Sequence, residues 1–424
     1  MKSIYWFRYD LRVNDNISLN KALDDSDEIL FVYIQDLKNF NNSDWGFPRM
    51  GNLRKTFILQ GLNSLNLKLN EHGHSLNVYQ DDPVKSLIKL VKKFNIDRIY
   101  CESIDAYEEL DEEKRLIDHK IDLLSIYQSG LYLHDQIPFT FSDLPDVFTQ
   151  FRKKIEFSGV KPIKPALLSK KIRNVKSIND EPFTEYDCKI KVSPNSSFPI
   201  STDLFSGGES RGYAYLKSYF DSIKPSTYKK TRNELTGIDF STKFSPWLAN
   251  GYLSPRQIYE FLSDYELNQI KNDSTYWIFF ELLWREYFRL ILKKYGKRIF
   301  NENGLGFSKQ KIKHIPENFK LWIEGKTQSN FINAGMIELK ETGFLSNRMR
   351  QIVASYLVNE LSCDWRAGAA WFESQLIDYD VSSNQCNWAY IAGFGTDPRG
   401  GRHFNVNKQK SSYDPDNRYE KLWI

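Results

Sequence analysis

The sequence has few of the residues that build metal centres, disulfide frameworks or membrane spans. Its 424 residues include four cysteines, with no CxxC pair, and six histidines, none in an HExxH motif. This argues against the common zinc, iron–sulfur and disulfide patterns, so we expect no bound metal and a reduced, cytoplasmic setting. No run of about 18 apolar residues occurs, which predicts no membrane span. Arg8, Asp10 and Arg12 come too early for a signal peptide.

Internal repeats and low-complexity tracts are also missing, whereas aromatic residues are abundant, at 15% of the chain. Eight of the ten tryptophans lie at or after Trp247. Residues 201–424 carry a net charge of +5 and residues 1–200 a net charge of −1. A basic, tryptophan-rich half is typical of proteins that bind a polyanion or a stacked planar ligand. A large aromatic core is the simpler explanation of the composition alone.

The first third of the chain alternates short apolar runs with amphipathic stretches. The runs predict strands at 3–8, 28–34, 75–80, 97–102 and 130–135. The intervening stretches, of which the last is "EELDEEKRLIDHKIDLLSIY" (108–127), have apolar residues at helical spacing. Such alternation predicts a doubly wound parallel sheet, and we assign residues 1–135 to this α/β domain.

The remainder of the chain divides into a connector and a helical domain. Seven prolines punctuate residues 136–203, which predicts an ordered interdomain linker with one helix near "PDVFTQFRKKIEF". From residue 204 to 424 the pattern is mostly helical, which predicts an all-helical second domain.

The strongest predicted helix is "STYWIFFELLWREYFRLILKKYG" (274–296). Trp277, Glu281, Trp284 and Arg285 share one face of it, together with Phe288. Aromatic residues alone would indicate core packing. Burying Glu281 and Arg285 requires either an ion pair between them or a polar ligand, and the sequence leaves both alternatives open.

Three further segments supply polar groups. "FLSNRMRQIVASYLVNEL" (344–361) places amides and arginines at the start of an apolar helix, and "TKFSPWLANGYLSPRQ" (242–257) places hydroxyls before another helix. "DYDVSSNQCNWAYIAG" (378–393) combines Asp378, Asp380, Asn384 and Trp388. Acidic, amide, basic and aromatic groups around one cavity are what a buried isoalloxazine ring with a pyrophosphate tail requires.

At these residues the sequence resembles the photolyase/cryptochrome family, and most closely the DASH cryptochromes. The matching text includes "WFRYDLRVNDN", "GGESRGYAYLKSY", "FSPWLANGYLSPR", "YWIFFELLWREYFR", "ETGFLSNRMRQIVAS" and "DWRAGAAWFESQLIDYDVSSNQCNWAY". The resemblance covers essentially the whole chain. It implies an α/β domain, a long linker and a helical domain that buries a U-shaped FAD.

The resemblance also implies roles for individual residues around the flavin. Its phosphate and sugar portion would be lined by Tyr228, Ser241, Thr242, Phe244 and Ser245, with Arg285 and Glu281 nearby. Its isoalloxazine would be surrounded by Asn347, Arg350, Asp378, Asp380 and Asn384. Arg350 would pair with Asp378, and Asn384 would face N5 of the ring. Trp388 and Trp365 correspond to the first two members of the family's electron-transfer chain.

On the substrate side, the resemblance implies that Glu281 hydrogen-bonds a pyrimidine dimer and that Trp284, Asn384 and Tyr390 complete the catalytic set. Duplex photolyases carry tryptophan where this chain has Tyr390, and methionine where it has Gln351. The DNA contacts would be Arg232, Arg348, Gln351, Asn387 and Arg402. Glu109 would bind a 5,10-methenyltetrahydrofolate antenna.

One departure from the family pattern concerns electron transfer. Spacing back from Trp365 and Trp322 places the third tryptophan of the chain at position 312, where this sequence has Ile312. Either electrons leave through another aromatic residue, such as Trp322, or photoreduction is impaired. Trp322 is expected to lie at the surface.

These residues favour a monomeric, blue-light-dependent enzyme that splits cyclobutane pyrimidine dimers, preferentially in single-stranded DNA. Unstacking a dimer costs less in a single strand, which suits a pocket with one aromatic clamp fewer. The alternatives are a signalling photoreceptor with little repair activity and a duplex photolyase. The first usually has a C-terminal extension, whereas this chain ends at "YEKLWI". Tyr390 and Gln351 disfavour the second.

Overall fold

A parallel β-sheet flanked by helices forms the N-terminal part of the computed structural model, which describes residues 1–306 and 312–424. The strands are β1 (Lys2–Phe7), β2 (Glu28–Gln35), β3 (Leu76–Gln80), β4 (Arg98–Glu102) and β5 (Leu123–Ile126). They are ordered β3-β2-β1-β4-β5, and every pairing is parallel. The crossovers contain α1 (Ile17–Asp25), α2 (Asn52–Asn70), α3 (Pro83–Phe94) and α4 (Tyr107–Asp118). The predicted doubly wound sheet is confirmed.

The fifth strand lies earlier in the chain than the sequence pattern predicted. The strand predicted at 130–135 is wrong, and the helix predicted over 108–127 ends at Asp118. Lys120 adopts a positive φ of 62°, which turns the chain so that Leu123–Ile126 pairs with β4. Short apolar runs suit either a strand or a helix, and here the free edge of β4 decides between them.

The connector (residues 136–203) contacts both the α/β part and the helical part of the molecule. It contains α5 (Phe148–Ser158), which packs against the long helix α10 (Asp273–Tyr295), and the two-residue strand β6 (Lys176–Ser177), which pairs with the start of β2. Its chain is therefore fixed to the α/β sheet at one point and to the helical part at another.

The C-terminal half is helical, as predicted. Its helices are α6 (Glu209–Phe220), α7 (Lys224–Thr231), α8 (Ser245–Ala249), α9 (Pro255–Asn268), α10 (Asp273–Tyr295), α11 (Pro316–Ile323), α12 (Asn330–Thr342), α13 (Asn347–Asn359), α14 (Trp365–Gln375), α15 (Val381–Ala392), α16 (Val406–Tyr413) and α17 (Arg418–Trp423). Among the described residues, no helix is both long and apolar enough to cross a bilayer.

The two parts meet along a buried polar seam. Arg256 of α9 pairs with Asp15 of the α/β part, and both side chains are 0% exposed. Arg12 donates to the backbone oxygen of Gly251 at 3.0 Å. Gly251 has a φ of +70°, and a Cβ there would lie 2.0 Å from the backbone oxygen of Tyr9. The seam therefore requires glycine at residue 251.

Glu102, at the carboxyl end of β4, is a fully buried carboxylate beside this seam. Neither of its oxygens has a hydrogen-bond partner among the described residues. Burial raises its pKa to about 7, Asp10 adds to the increase, and Arg12 and Arg289 offset part of it. Because the folded pKa lies above the ordinary value of 4.5, Glu102 destabilises the fold progressively as the pH rises from about 4.5 to about 7, and by a constant amount above that range.

Glu102→Gln is therefore expected to stabilise the protein at alkaline pH. The gain should reach about 3 kcal/mol at pH 8 and fall to about 1 kcal/mol at pH 5, since Gln cannot ionise. Urea unfolding at both pH values measures the difference. The exposed control Glu71→Gln should change stability by less than about 0.5 kcal/mol at either pH. An equal gain at pH 5 and pH 8 would contradict this account of Glu102.

Candidate functional site

A deep cavity opens in the helical half, between α7, α8, α10, α13 and α15. It encloses about 2100 Å³ of empty space, including its open mouth. A smaller compartment of about 510 Å³ adjoins it and shares Asn347, Arg350, Asp378 and Asp380 as lining residues. Ordinary small-molecule pockets occupy about 300–1,000 Å³, so this cavity has room for a dinucleotide and a second ligand.

Helix α10 supplies one long wall. Asn272 caps its N-terminus by accepting from the backbone N–H groups of Ser274 and Thr275, and the helix then runs for 23 residues without a break. Its cavity-facing residues include Trp277, Glu281 and Trp284. The same helix buries Leu283 and Tyr287 against the core. Because the apolar packing fixes the rotation of the helix, the polar residues are held toward the cavity.

The ion pair considered between Glu281 and Arg285 does not form. Glu281 instead pairs with Arg232, at the C-terminal end of α7. Arg285 donates to the backbone oxygen of Ser129 at 2.7 Å. Burial raises the pKa of the Glu281 carboxyl, and Arg232 offsets part of this increase. Glu281 therefore retains a tendency to hold its proton inside the cavity.

At the inner end of the cavity, two ion pairs lie side by side. Arg350 donates to Asp378 at 2.8 Å, as the resemblance implied, and its Nε donates to the backbone oxygen of Leu345. Asp380 pairs with Arg289 at 2.6 Å and caps α15 by accepting from the Ser383 backbone N–H at 2.8 Å. We did not predict Arg289 from the sequence. Its spacing of four residues after Arg285 on the same helix was the available signal.

Electrostatics at this end favour a charged carboxylate. Burial alone would raise the pKa of Asp380, but Arg289 and Arg285 outweigh it, so the pKa lies below its ordinary value. Asp380 is therefore ionised at neutral pH. Its position keeps a fixed negative charge beside two half-buried arginines, Arg285 and Arg289.

Helix α15 brings Asn384 and Trp388 to the smaller compartment, one turn apart. The amide of Asn384 donates to the backbone oxygen of Ala369 at 3.0 Å. This bond fixes the side chain and leaves its carbonyl oxygen as the group available to a ligand. Trp388 packs tightly on α14, since a Cβ on Gly368 would lie 2.3 Å from its ring.

The hydroxyl-bearing segment also lines the large cavity. The large cavity is lined there by Tyr228, Ser241, Thr242, Phe244 and Ser245. The helix that follows, α8, has five residues. Lys243 in this segment was missed from the sequence. It is 2% exposed and has a φ of +56°, and its ammonium lies 3.4 Å from the Phe240 ring centroid and 4.7 Å from that of Phe344.

The mouth of the cavity collects the residues assigned to substrate and DNA. Tyr390 lies 5.8 Å from Trp284, ring to ring, and its hydroxyl accepts from Arg402. Arg402 also pairs with Asp397, while Arg348 donates to Gln351 and Asn233. The lining of the large cavity includes Arg232, Arg348, Gln351, Asn387, Tyr390 and Arg402, and two of these, Gln351 and Asn387, also line the smaller compartment. The structure thus brings all of these residues to one cavity.

Arg232 differs from the other arginines at the mouth. Its guanidinium lies 4.6 Å from the ring centroid of Trp277, and its side chain is 16% exposed in the pair with Glu281. It is therefore placed inside the cavity rather than on the outer surface. A contact with a phosphate would require that phosphate to approach the Glu281 end of the pocket.

The inner residues fit an isoalloxazine ring. The Oδ1 atom of Asp378 is buried and has no hydrogen-bond partner among the described residues. It is suited to accept from the imide N–H at the edge of the ring, beside the cation of Arg350. The carbonyl of Asn384 is suited to accept from a second ring N–H. The donors Ser241, Thr242 and Ser245 suit the phosphate end of the same dinucleotide.

Aromatic residues lead away from Trp388. Its ring lies 6.2 Å from that of Trp322, which is 0% exposed. The expectation that Trp322 lies at the surface is therefore wrong. Trp365 donates to the backbone oxygen of Glu302, whose carboxylate accepts from the backbone N–H of Ile312 at 2.8 Å. Ile312 is thus linked to the second tryptophan through Glu302, and it packs against the core cluster that contains Trp365.

Trp322 connects to the surface through other rings. It lies 6.0 Å from Phe319, which lies 5.6 Å from His314, and His314 lies 5.2 Å from the half-buried Trp45. Both predicted members of the electron-transfer chain are buried: Trp365 is 0% exposed and Trp388 is 2% exposed. Trp45 is therefore the tryptophan at which this line of rings reaches solvent.

Glu109 lies far from the cavity, on α4. Arg8 donates to its backbone oxygen, while the side chain of Arg8 pairs with Glu112 and Glu113. Burial raises the pKa of Glu109, and Arg8 offsets part of the increase. The adjacent Glu108 pairs with Arg49. The residue is thus placed in a charged, partly buried region near the seam between the two halves.

Comparison with known proteins identifies the chain. Residues 3–167 match the family described as DNA photolyase, and residues 277–424 match the FAD binding domain of DNA photolyase. A cryptochrome DASH from Danio rerio is 40% identical over 98% of this chain and 82% of its own length. The crystal structure of a Synechocystis cryptochrome superimposes with a TM-score of 0.93 at 38% identity, covering 100% of this chain and 89% of that chain.

A more distant structure shares the architecture. The archaeal photolyase from Sulfolobus tokodaii, described with two FAD molecules, superimposes with a TM-score of 0.78 at 26% identity over 100% of this chain and 90% of its own. With an α/β sheet, a proline-rich linker and a helical FAD-binding domain in this order, the chain belongs to the photolyase/cryptochrome family and, within it, to the DASH cryptochromes.

Proposed function

We propose that this DASH cryptochrome uses blue light to split cyclobutane pyrimidine dimers in single-stranded DNA. The observation that carries the proposal is the continuity of the cavity. Asp378 and Asp380, whose side chains are 1% and 8% exposed, line the same cavity as Glu281, whose side chain is 30% exposed. A dimer that enters the mouth therefore comes to lie against a flavin held at the inner end.

When bound, reduced FAD supplies, on excitation, the single electron that opens the cyclobutane ring. The protein's own residues hold the dimer and stabilise the charge that develops on it. Glu281, whose pKa is raised by burial, can hold a proton toward a pyrimidine carbonyl. Arg232 places a cation beside the same carboxyl. Trp284 and Tyr390 supply ring faces, and Arg402 orients the Tyr390 hydroxyl.

We expect dimers in single strands to be preferred because of the residues at the mouth of the cavity. A dimer in a duplex must be unstacked and unpaired before it enters, at a cost of a few kcal/mol, whereas a single strand avoids most of this cost. Tyr390 offers a smaller stacking surface than the indole that duplex photolyases carry there, and Gln351 replaces their apolar methionine with a polar amide. Repair should therefore be faster on a dimer in a single strand than in a duplex of the same sequence.

The deciding experiment is a repair assay with dimers in matched single-stranded and duplex oligonucleotides, under blue light and in the dark. We expect light-dependent repair that is at least several-fold faster on the single strand. Equal repair of both substrates would identify a duplex photolyase. A protein that binds FAD and repairs neither substrate would instead be the signalling photoreceptor.

The assignment of the inner pocket predicts a yellow protein with stoichiometric FAD that depends on Asp378. Asp378→Ala removes the unpaired acceptor and leaves Arg350 without its partner. Charge-assisted hydrogen bonds of this kind contribute about 1.5–3 kcal/mol, so FAD affinity should fall roughly 10- to 100-fold. Titration of the apoprotein with FAD, followed by flavin fluorescence, measures this.

Asp397→Ala is the matched control. Asp397 is an equally buried aspartate paired with an equally exposed arginine, Arg402, but it lies at the mouth. Its replacement should leave FAD affinity within a factor of about two. A folded, colourless preparation that cannot be reconstituted with FAD would disprove the flavin assignment.

Ile312 predicts slow photoreduction of the oxidised protein. Neither Ile312 nor Phe319, which lies in the line of rings to Trp45, has an accessible oxidised state, so an electron vacancy on Trp388 or Trp365 must return to the flavin or cross the long gap from Trp322 to Trp45 in one step. Ile312→Trp should therefore accelerate photoreduction severalfold with a thiol donor, as followed by flavin absorbance. The control Ile117→Trp adds an exposed tryptophan far from the cavity and should have no effect.

Two outcomes test this account of Ile312. Repair by chemically reduced protein should be the same in Ile312→Trp and the wild type, because that electron does not use the tryptophans. If the wild type is already fast, Trp45→Phe should slow it. Fast photoreduction that neither substitution alters would contradict the assignment of the route.

We also propose that Glu109 binds a 5,10-methenyltetrahydrofolate antenna. Its support is the placement of a partly buried carboxyl with a raised pKa between charged neighbours at the seam. Such a carboxyl can accept hydrogen bonds from a pterin ring. Acid extraction followed by mass spectrometry should find the folate in the wild type and a reduced amount in Glu109→Ala, with FAD content unchanged.

A further inference from the structure

A short part of the linker has a net positive charge larger than that of the whole protein. Residues 152–176, here called the basic strip, contain nine cations and one anion, Glu156, a net charge of +8. The whole chain has a net charge of +4, so the remaining residues together carry −4. The cations are Arg152, Lys153, Lys154, Lys161, Lys164, Lys170, Lys171, Arg173 and Lys176. The strip was missed from the sequence because residues 1–200 as a whole have a net charge of −1.

The charges of the strip are exposed and largely uncompensated. All of them except the half-buried Arg152 lie on residues that are exposed to solvent. Within residues 1–306 and 312–424, two of the nine form ion pairs, Arg152 with Glu156 and Lys171 with Asp24. The other carboxylates facing the strip are Asp27 and Glu260. Seven cations with no carboxylate partner repel one another until a polyanion neutralises them.

The backbone beneath these charges is firmly held. Phe151 and Ile155 of α5 are buried in the core. The backbone N–H of Ala166 donates to the carboxylate of Asp15 at 2.8 Å, and the strip ends in β6, which pairs with β2. The strip is therefore a fixed row of cations rather than a loose basic tail.

An aromatic side chain stands among the cations. Phe157, near the end of α5, is 95% exposed. It follows Lys153 by four residues and Lys154 by three, so all three lie on neighbouring parts of the helix surface. Cations that follow a backbone, interleaved with an exposed ring, are typical of surfaces that bind single-stranded nucleic acid. A duplex would leave the ring unused, because its bases are already stacked.

The strip is continuous with the wall of the cavity. Phe148, at the start of α5, stacks on Trp284 with 3.7 Å between ring centroids and an angle of 12°. Arg152, one turn later, lies 5.7 Å from the ring centroid of Phe280. Both Trp284 and Phe280 line the cavity. A strand that leaves the mouth on this side therefore reaches Lys153, Lys154 and Phe157 next.

We propose that the basic strip binds the sugar–phosphate backbone of a single-stranded nucleic acid whose lesion-bearing part occupies the cavity, with Phe157 stacked on one of its bases. This rests on the proposed function for the strand in the cavity, but the strip itself needs no lesion. Its role is to lengthen the footprint of the protein on a single strand beyond the arginines at the mouth.

The first test compares two triple variants with equal loss of charge. Lys153→Gln, Lys161→Gln and Lys164→Gln alter the strip, and Lys85→Gln, Lys92→Gln and Lys114→Gln alter exposed lysines on α3 and α4 that form no ion pair among the described residues. Binding of an undamaged oligonucleotide of about 20 nucleotides is measured over a range of salt concentrations. The strip variant should flatten the salt dependence by about 2 units, at about 0.7 per phosphate contact, and the control should not.

Oligonucleotide length gives the second test. A dimer-containing strand of about five nucleotides should fill the cavity without reaching the strip, so both triple variants should bind and repair it like the wild type. Phe157→Ala should weaken binding of the long strand roughly 10-fold, and Phe157→Leu, which keeps apolar area without a ring, should weaken it similarly. Because Phe157 is exposed, neither change threatens the fold.

The outcomes separate this inference from the proposed function. Equal salt dependence in both triple variants, or equal binding of anionic lipid vesicles and long strands by the wild type, would overturn the role of the strip. Repair of the short strand would then still support the proposed function. If the strip variant lost long-strand binding while the wild type repaired no dimer, the result would support the proposed role of the basic strip and contradict the proposed repair activity.

Discussion

Glu281→Ala is expected to slow dimer splitting about 100- to 1,000-fold while FAD remains bound. The carboxyl faces the cavity, and burial raises its pKa, so it takes up a proton more readily than an exposed carboxyl; once protonated, it can donate to a pyrimidine carbonyl as negative charge develops there. Removal of one such donor from an oxyanion site costs about 2.7–4 kcal/mol, which gives this range of rates. Single-turnover repair of a dimer by photochemically reduced protein, with flavin content measured in parallel, checks the result.

Two variants sharpen this prediction. Glu281→Gln keeps a hydrogen-bond donor of the same shape and should lose less activity than Glu281→Ala. Asp273→Ala removes an exposed carboxylate from the same helix, also paired with a cation, and should repair at the wild-type rate. Wild-type repair by Glu281→Ala would mean that Glu281 only holds Arg232 in place. In that case, Arg232→Ala would remove the partner of the Glu281 carboxyl and leave the rate of dimer splitting unchanged.

Asp15→Ala is expected to cost about 3–5 kcal/mol of unfolding free energy. Asp15 and Arg256 are both fully buried where the two halves meet, with the Nε of Arg256 donating to Asp15 at 3.0 Å. Removal of the carboxylate leaves a desolvated guanidinium whose remaining bonds go to the backbone oxygens of Gln128 and Gly130. An uncompensated buried charge carries a penalty of this size. Urea unfolding followed by circular dichroism measures it.

Asp122→Ala provides the comparison, because it removes the same group from an exposed pair. Arg98 and Asp122 lie 2.7 Å apart, with side chains 35% and 52% exposed. The loss should stay below about 1 kcal/mol. A similar loss in both variants would mean that Arg256 gains access to water when Asp15 is removed. The seam would then be less tightly closed than its geometry indicates.

Part of the structure could be predicted from the sequence alone. Ordered motifs predicted the family, the parallel sheet and the residues of the flavin pocket, because each depends on residue types at fixed local spacing. The structure brings Asp378, Asp380, Asn347, Arg350 and Asn384 to one cavity wall, as the resemblance implied. The roles that the resemblance gives to these residues stay predictions until the experiments above are done.

Partner choice could not be predicted in the same way. Spacing of four residues on α10 left open whether Glu281 pairs with Arg285 or with a polar ligand. Instead, Glu281 pairs with Arg232 at the end of α7, and Arg289, which was missed, pairs with Asp380. Helical spacing places two side chains on one face and leaves open which of several cations is nearer. The packing of α7 and α15 against α10 decides this.

The sequence by itself determined the chemistry available to this protein: its flavin-binding groups, its aromatic residues and its order of strands and helices. Only the tertiary structure decided that β5 begins at Leu123, that Trp322 is buried, and that the basic strip continues from the cavity wall. The physical reason is the distance along the chain over which each property is set. Local spacing fixes which residues share a face of a helix or strand, whereas burial and ion pairing depend on the desolvation and contacts that form when distant segments pack together.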